Sequence, residues 1–402
     1  MSDETAPINT LSWKGSILVI VPWYVPGYKA GGPIKSVRNI VANLGEHYRF
    51  TILTGDRDFG EDASYDSVPL DRLVATQGAS IVYSSRRFLS LLRHYREGAR
   101  RANAIYLNSF FSPRFAIFPM FLRRLGLIPR RPTIVAPRGE FSSGALALKS
   151  FKKRVFLLVV RLLRLYDDVC WHAASPQEAE DIVRIMAANK DCVTIAPNIA
   201  DAPLEYYRLP IGGNHDAFSI VFLSRISRKK NLQFFIETVS RCHTPINADI
   251  YGPIEDAHYW DECLQVIADA PKGVTITYRG ALKPHEVREV LLDYDLFFLP
   301  TLGENFGHVI LEAMQAGLPV LLSDRTPWRD LQQHNVGACL PLSEPEAFTH
   351  YIEKLQFTPV QERYQQRQSV LKYALERLNN RSSIDAHKAM FDAATSQGSI
   401  DK

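Results

Sequence analysis

The chain predicts an α/β protein made of two doubly wound parallel-sheet domains that face one another across a cleft. Three observations predict it. The chain is 402 residues long, more than one hydrophobic core usually fills. Short apolar runs alternate with helical patterns in both halves. The alternation breaks once, at Asp201 to Ala217 (DAPLEYYRLPIGGNHDA), where Pro, Gly and polar residues erase periodicity as a linker does.

In the first half, Ser16–Pro22, Arg49–Thr54, Ile81–Tyr83, Ala104–Leu107 and Pro132–Ala136 read as buried strands, and Val169–Ala173 and Val193–Ala196 complete the set. Strands spaced by helices imply a parallel sheet. The pattern restarts with Phe218–Leu223, Ala248–Tyr251, Val274–Tyr278, Leu296–Pro300 and Pro319–Leu322. The expected boundaries are 1–205 for the first domain, 206–217 for the linker and 218–375 for the second domain, with a C-terminal helix at 376–402 packing back across both. Ligands of open parallel sheets sit beyond the carboxyl ends of strands, so functional residues are sought just after them.

Composition narrows the class. A formal charge of +4 gives no case for a nucleic-acid partner. The cysteines at 170, 192, 242, 263 and 339 are scattered and never form C-x-x-C, which argues against a disulfide framework or a zinc site and fits a reducing compartment. The first residues carry acids where a signal peptide needs cations, and no run reaches the ~20 apolar residues of a spanning helix. A cytoplasmic protein, able to rest on a membrane, is expected.

The most informative segment is LPTLGENFGHVILEAMQAGLP, from Leu299 to Pro319: a strand end, a Gly-containing loop and a helix stopped by Gly317 and Pro319. Glu304 lies in the loop and Glu312 one to two turns into the helix. The amides of Phe306, Gly307, His308 and Val309 open that helix, where phosphate oxygens bind. Glu312 is then placed for ribose hydroxyls and Glu304 for a sugar, a pattern that describes a sugar nucleotide better than a bare nucleotide. The alternative is a helix-capping Glu304 and a solvated Glu312.

Two further segments point the same way. In SRISRKKN (Ser224–Asn231), Arg225, Arg228, Lys229 and Lys230 crowd the start of a helix, where the macrodipole disfavours cations unless an anion binds. Arg225 and Lys230 suit a diphosphate, although an exposed basic turn also fits. In AGGPIKS (Ala30–Ser36), Gly31 and Gly32 precede a helix with Pro33 in its first turn, so backbone amides can approach an oxyanion; a ligand-free tight turn reads the same. The segment is not G-x-G-x-x-G, which counts against a nicotinamide-dependent oxidoreductase.

Together these segments resemble the retaining glycosyltransferases of family 4, with Arg225-x4-Lys230 and Glu304-x7-Glu312 matching the family pattern. The likeness spans nearly the whole chain and is strongest from Ser219 to Asp324. It implies the GT-B fold of two Rossmann-like domains. It also implies a UDP- or GDP-linked sugar donor with no metal or other cofactor required. Arg225 and Lys230 would bind the diphosphate, Glu304 and Asn305–Gly307 would face the sugar, Glu312 would bind ribose, and Gly32 would lie beside the donor phosphate. Many relatives carry a His after the strand matching Thr133–Ala136. Here the run is Ala136-Pro137-Arg138-Gly139-Glu140, so Arg138 or Glu140 stands in that place, as in a polysaccharide-assembly subgroup. The implied rivals on the same fold are a sugar-nucleotide epimerase, a phosphorylase and an inactive membrane-bound scaffold.

Charge is unevenly spread. From Arg123 to Arg164 eleven Lys or Arg stand against one acid, Glu140. Residues 115–166, and LALKSFKKRVFLLVVRLLRLY (Leu146–Tyr166) above all, combine cations with apolar side chains. Such a helix suits an anionic membrane surface at ~1 kcal/mol per cation, and a core helix with a solvated polar face is the other reading. A peripheral position on the cytoplasmic face, with a lipid-linked or saccharide acceptor, follows from this segment and the family likeness. His172 reads as a satisfied core histidine. The Asp-x-Asp pairs Asp56/Asp58 and Asp293/Asp295 are weak metal candidates, and Tyr251–Pro253 with Arg279–Leu282 are candidates for a nucleobase pocket.

Overall fold

Apolar runs buried on both faces form the centre of two separate sheets, as their lack of alternation requires. A computed structural model of the protein describes residues 13–147, 150–202, 209 and 217–398. The first sheet contains β1 (Gly15–Ile20), β2 (Tyr48–Gly55), β3 (Leu73–Thr76), β4 (Ala79–Ser84), β5 (Ala104–Leu107), β6 (Thr133–Val135), β7 (Cys170–Ala173) and β8 (Val193–Ile195), in the order β3-β4-β2-β1-β5-β6-β7-β8. All neighbours are parallel except β3, which pairs antiparallel with β4.

The second sheet is parallel throughout. It contains β9 (Phe218–Leu223), β10 (Ile246–Tyr251), β11 (Val274–Gly280), β12 (Leu296–Leu299), β13 (Val320–Ser323) and β14 (Gly337–Leu340), ordered β11-β10-β9-β12-β13-β14. The strands β9, β12 and β13 are buried at every position. Two strands escaped the sequence reading. Edge strand β3 is mostly exposed with an apolar stretch of only three residues, and β14 opens on a glycine and spans four residues.

Sheet order reverses beside β1 in the first sheet and beside β9 in the second. The loops after β1, β9 and β12 therefore leave the sheets at switch points, where ligand crevices form. Most of the expected linker lies outside the described residues, so its course is not described. After β8, the segment at Ala200 and the one at Asn380 are tied by Ala200 N to Asn380 Oδ1 (2.9 Å) and Asn380 Nδ2 to Ala200 O (3.0 Å). Helix Val360–Arg377 packs on helix His308–Gln315, and helix Arg381–Gln397 packs on β1, β5 and helix Gly32–Leu44. Its Phe391 ring meets Tyr48, Phe50 and Tyr106 edge-on in the first core, a burial that contributes roughly 1.5–3 kcal/mol.

Candidate functional site

On the first domain the loop after β1 is shaped by Asp58, whose carboxylate accepts from the amides of Tyr28 (2.9 Å) and Phe59 (2.7 Å) and, at longer range, of Lys29 (3.2 Å). The chain then turns at Gly31, which has φ +69° and nothing near its missing Cβ, and enters helix Gly32–Leu44. A Cβ on Gly32 would stand 3.8 Å from His308 Cδ2 of the second domain. Two helix starts thus face each other across the cleft, with Ser36 Oγ and His308 Nε2 3.3 Å apart.

On the second domain the loop after β9 makes a 3-10 turn, Arg228–Lys230, before helix Leu232–Ser240. Arg225 lies over the Phe59 ring at 5.5 Å and pairs with Glu255 at 3.0 Å. Lys230 turns inward and pairs with Glu304 in the loop after β12. Arg228 turns away to Glu262 and Asp256, so the basic cluster divides between the cleft and the outer surface. The Glu304 amide donates to Arg325 O at 2.9 Å, which fixes the loop, and Gly307 (φ +78°) starts helix His308–Gln315. The positive φ favours glycine here, and a Cβ would also stand 2.5 Å from Ile310 Cδ1, which would have to shift.

Arg138 enters the cleft from the first domain in a left-handed conformation (φ +55°). Its guanidinium donates to three neutral oxygens: Asn108 Oδ1 (2.7 Å), Asn198 Oδ1 (2.6 Å) and Tyr106 Oη (2.6 Å). Tyr106 in turn contacts His172 Nδ1 at 2.8 Å, and His172 Nε2 meets Ala196 O at 2.8 Å, so His172 is a satisfied core residue. The two candidates, Arg138 and Glu140, separate in space. Arg138 lines the cleft, whereas Glu140 is drawn under the loop after β5, accepting from Ser109 Oγ (3.0 Å) and the amides of Phe110 and Phe111 (2.8 Å each).

The cleft between the domains has a volume of about 230 Å³. Of the sequence-predicted site residues, Gly31, Gly32, Arg138, Arg225, Lys230, Glu304, Asn305, Phe306, Gly307, His308, Val309 and Glu312 line it, and Glu140 does not. Of the candidate base-pocket residues, Gly252, Pro253, Ala281 and Leu282 line it as well. Tyr251 bonds instead to Tyr294, and Arg279 to Asp249. The Asp-x-Asp pairs are committed to backbone and side-chain partners, Asp58 as above and Asp295 to the Ser219 amide and hydroxyl. Among the described residues no cluster of three His, Cys, Asp or Glu is placed to hold a metal.

The sequence reading gave no site role to Lys35 and Lys229, which line the cleft, or to Glu178 beside it. Lys35 crosses from the first domain to pair with Glu312. Lys229 reaches toward Gly139 O at 3.5 Å. Glu178, one turn into helix Pro176–Met186, gathers the amides of Gly139 and Ala174 and the Asn305 side chain, and it borders a second cavity of about 640 Å³ that adjoins the first at Lys229, Glu304 and Asn305. Lys229 was signalled by the basic cluster. Lys35 carried no local pattern, and the Ser175-x-x-Glu178 spacing reads only as a helix-capping signature.

Electrostatics follow from this packing. Burial opposes ionisation of Glu304, but Lys230, Lys229 and the Asn305 amide outweigh it and hold the carboxyl below its usual range. Burial pushes Lys35 down to about 8, with Arg38 acting in the same sense and Asp201 against it. Lys229 also falls to about 8, first by burial and then by the neighbouring Lys230 charge. Burial and the Lys35 charge lower His308 to about 3, leaving it neutral. The cleft thus holds a surplus of basic side chains, Lys35, Arg138, Arg225, Lys229 and Lys230, around two carboxylates, Glu304 and Glu312, with a helix start on either side.

Two parallel-sheet α/β domains with the site between them define the GT-B architecture. Residues 208–373 match the family described as Glycosyl transferases group 1. The chain is 29% identical over 164 residues to a D-inositol 3-phosphate glycosyltransferase of Paenarthrobacter aurescens (strain TC1), covering 38% of this chain and 40% of that protein. It is 26% identical over 137 residues to an uncharacterized glycosyltransferase, MJ1607, of Methanocaldococcus jannaschii, covering 33% of each. The chain thus spans well under half the length of the curated relatives it matches. Among solved structures, HepE of Anabaena in complex with UDP-glucose superposes with a TM-score of 0.70 at 16% identity, covering 95% of this chain and 100% of that one. WaaG, a glycosyltransferase involved in lipopolysaccharide biosynthesis, gives 0.62 at 13% identity, covering 92% and 98%. At such identities these two likenesses speak to the fold.

Proposed function

We propose that the protein is a hexosyltransferase. It moves a sugar, with retention of configuration, from a UDP- or GDP-linked donor to a membrane-associated acceptor, a lipid-linked saccharide in polysaccharide assembly. The observation that carries this reading is the meeting of Arg225, Lys230, Glu304 and Glu312 in one cleft, opposite the Gly31-Gly32 turn.

In this reading the diphosphate lies between the helix-start amides and the cations Arg225 and Lys230. As the bond from the sugar to the diphosphate breaks, negative charge grows on the departing oxygen, and these fixed donors stabilise it more than they stabilise the intact donor. Two lysine and arginine charges supply the neutralisation, so no metal is required. The acceptor hydroxyl forms the new bond to the same sugar carbon on the leaving-group face, and its proton passes to the departing phosphate oxygen. Glu304, kept ionised by Lys230 and Lys229, faces the sugar hydroxyls and is not the nucleophile. Arg138, bonded only to neutral oxygens, brings an unshared charge to the reacting end.

The membrane part rests on helix Ser150–Leu162. Phe151, Leu158 and Leu162 are 78%, 68% and 79% exposed, among the exposed cations Lys152, Arg154 and Arg161. An apolar stripe left to solvent and edged by positive charge suits the headgroup layer of an anionic membrane on the cytoplasmic side. No helix of the described residues is long and apolar enough to cross one.

Thermal melting against a panel of UDP- and GDP-sugars, followed by transfer assays with the stabilising donor, tests the reading. A native-state ligand at a hundred times its Kd adds about 2.7 kcal/mol. A protein that no sugar nucleotide stabilises, or a Glu304→Ala variant with full transfer activity, would refute it.

A further inference from the structure

Lys35 and Glu312 belong to opposite domains, 277 positions apart, and their side chains meet through Lys35 Nζ and Glu312 Oε1 on the wall of the cleft. Both are largely sealed, with side-chain exposures of 15% and 19%. Lys35 also sits in the first turns of helix Gly32–Leu44, where the macrodipole opposes a cation. A structural cross-link alone gives little reason for this arrangement, since a pair of buried charges stabilises poorly compared with apolar packing. The pair has a second feature: it faces the ligand space. Lys35 engages one carboxylate oxygen of Glu312, an ammonium carries three N–H donors and a carboxylate two acceptor oxygens, and both residues line the same cavity, so the pair can offer an acceptor and a donor side by side to one ligand. A vicinal diol is the group that uses both, because each hydroxyl donates to a carboxylate while accepting from an ammonium.

We infer that Lys35 is a donor-binding residue supplied by the first domain, closing with Glu312 on the two ribose hydroxyls of the nucleotide. This rests on the reading of the cleft as a nucleotide-sugar site. It assigns the first domain a role in recognising the nucleotide as well as the phosphates. Domain closure and ribose recognition become one event, because Lys35 reaches Glu312 only when the two domains are together. Ser36, next to Lys35 on the first helix, meets His308, which opens the helix of Glu312, at 3.3 Å, a second contact across the cleft beside the pair.

The test is calorimetric titration of the full chain with UDP, GDP and their 2′,3′-dideoxy forms, in wild type, Lys35→Met and Lys35→Arg. Wild type should bind one ribonucleotide and bind its dideoxy form more weakly. Lys35→Met should weaken the ribonucleotide about ten-fold while changing the dideoxy form little, and Lys35→Arg should recover part of the loss. Unchanged or tighter ribonucleotide binding by Lys35→Met would show the pair to be a latch that the ligand must break, and would overturn the inference with the nucleotide reading intact. Equal losses for both nucleotide forms would also overturn it, since the effect would then not pass through the hydroxyls. Wild type that binds neither nucleotide overturns the cleft reading itself. Thermal melting of each variant separates a binding defect from misfolding, and Lys35→Arg keeps the test decisive if Lys35→Met is unstable.

Discussion

The Asn305 side-chain amide donates to Glu178 Oε2 at 2.9 Å, which ties the loop before helix His308–Gln315 to the first domain. The same carboxylate accepts from the amides of Gly139 (2.5 Å) and Ala174 (2.7 Å). Glu178 is therefore a buried hub, and through Gly139 it holds the backbone that presents Arg138. Glu178→Ala leaves two buried amides without an acceptor, at about 1–3 kcal/mol each. Urea denaturation should show a loss in that range or above, and kcat should fall even where folded protein is recovered. Glu178→Gln, which keeps an acceptor oxygen, should lose less.

Lys230 and Glu304 form the ion pair at the centre of the cleft. The Glu304 carboxyl is held below its ordinary 4.5, so its contribution to stability, and to donor binding under the proposed function, is present above that pH and lost as pH falls through the lowered value. Lys230→Met removes the nearest cation and leaves burial to dominate, so the Glu304 pKa should rise. The acid limb of donor binding, followed by titrating affinity against pH, should move to higher pH, and affinity at neutral pH should fall by 10- to 100-fold, a charge-assisted contact being worth about 1.5–3 kcal/mol. An unmoved acid limb would mean that Glu304 does not govern donor binding.

Legibility in the sequence followed how local the cause was. Strands β9 (FSIVFL), β12 (LFFL) and β13 (VLLS) are buried on both faces and announce themselves as unbroken apolar runs. Strand β3 (LVAT) lies on an edge, mostly exposed, and is held by pairing with β4 through a turn at Gly78 (φ +81°), a cause its own residues do not carry. Glu304 and Glu312 were readable because a strand end, a glycine and a helix start lie together in one segment. Lys35 and Glu178 act on partners 277 and 127 positions away, and only the tertiary structure brings those into reach. Arg138 and Glu140 were both available to the cleft, and the Phe110 and Phe111 amides that capture Glu140 lie about thirty residues upstream.

Three histidines are kept neutral by burial: His172 well below its usual range, His308 at about 3 and His387 at about 4. For a base with a lowered folded pKa, the unfolded chain takes up a proton first. Stability is therefore whole above about 6.5 and falls as pH drops toward the folded values, by up to ~1.4 kcal/mol per pH unit for each histidine. The urea midpoint should fall between pH 7.5 and 5, and His387→Phe, in a site already lined by aromatic rings, should flatten that slope. A slope unchanged in that variant would place the acid sensitivity elsewhere.

Helix Ser150–Leu162 turns Phe156, Leu157 and Val160 toward the first core, while Phe151, Leu158 and Leu162 remain exposed on the other side. Exposed apolar residues contribute little to folding, so Phe151→Ser, Leu158→Ser and Leu162→Ser together should leave the melting temperature nearly unchanged, surface changes being worth about 0.5 kcal/mol or less each. Flotation with phosphatidylcholine vesicles containing anionic phosphatidylglycerol should show strong loss of binding in the triple variant, because insertion of those side chains is the apolar part of the attraction. Raising salt should weaken the wild type further by screening Lys152, Arg154 and Arg161. The two effects separate the mechanisms: the apolar variant should keep a residual, salt-sensitive attachment, and a variant lacking the cations should lose that residue. Vesicle binding that survives both changes would move the membrane contact off this helix.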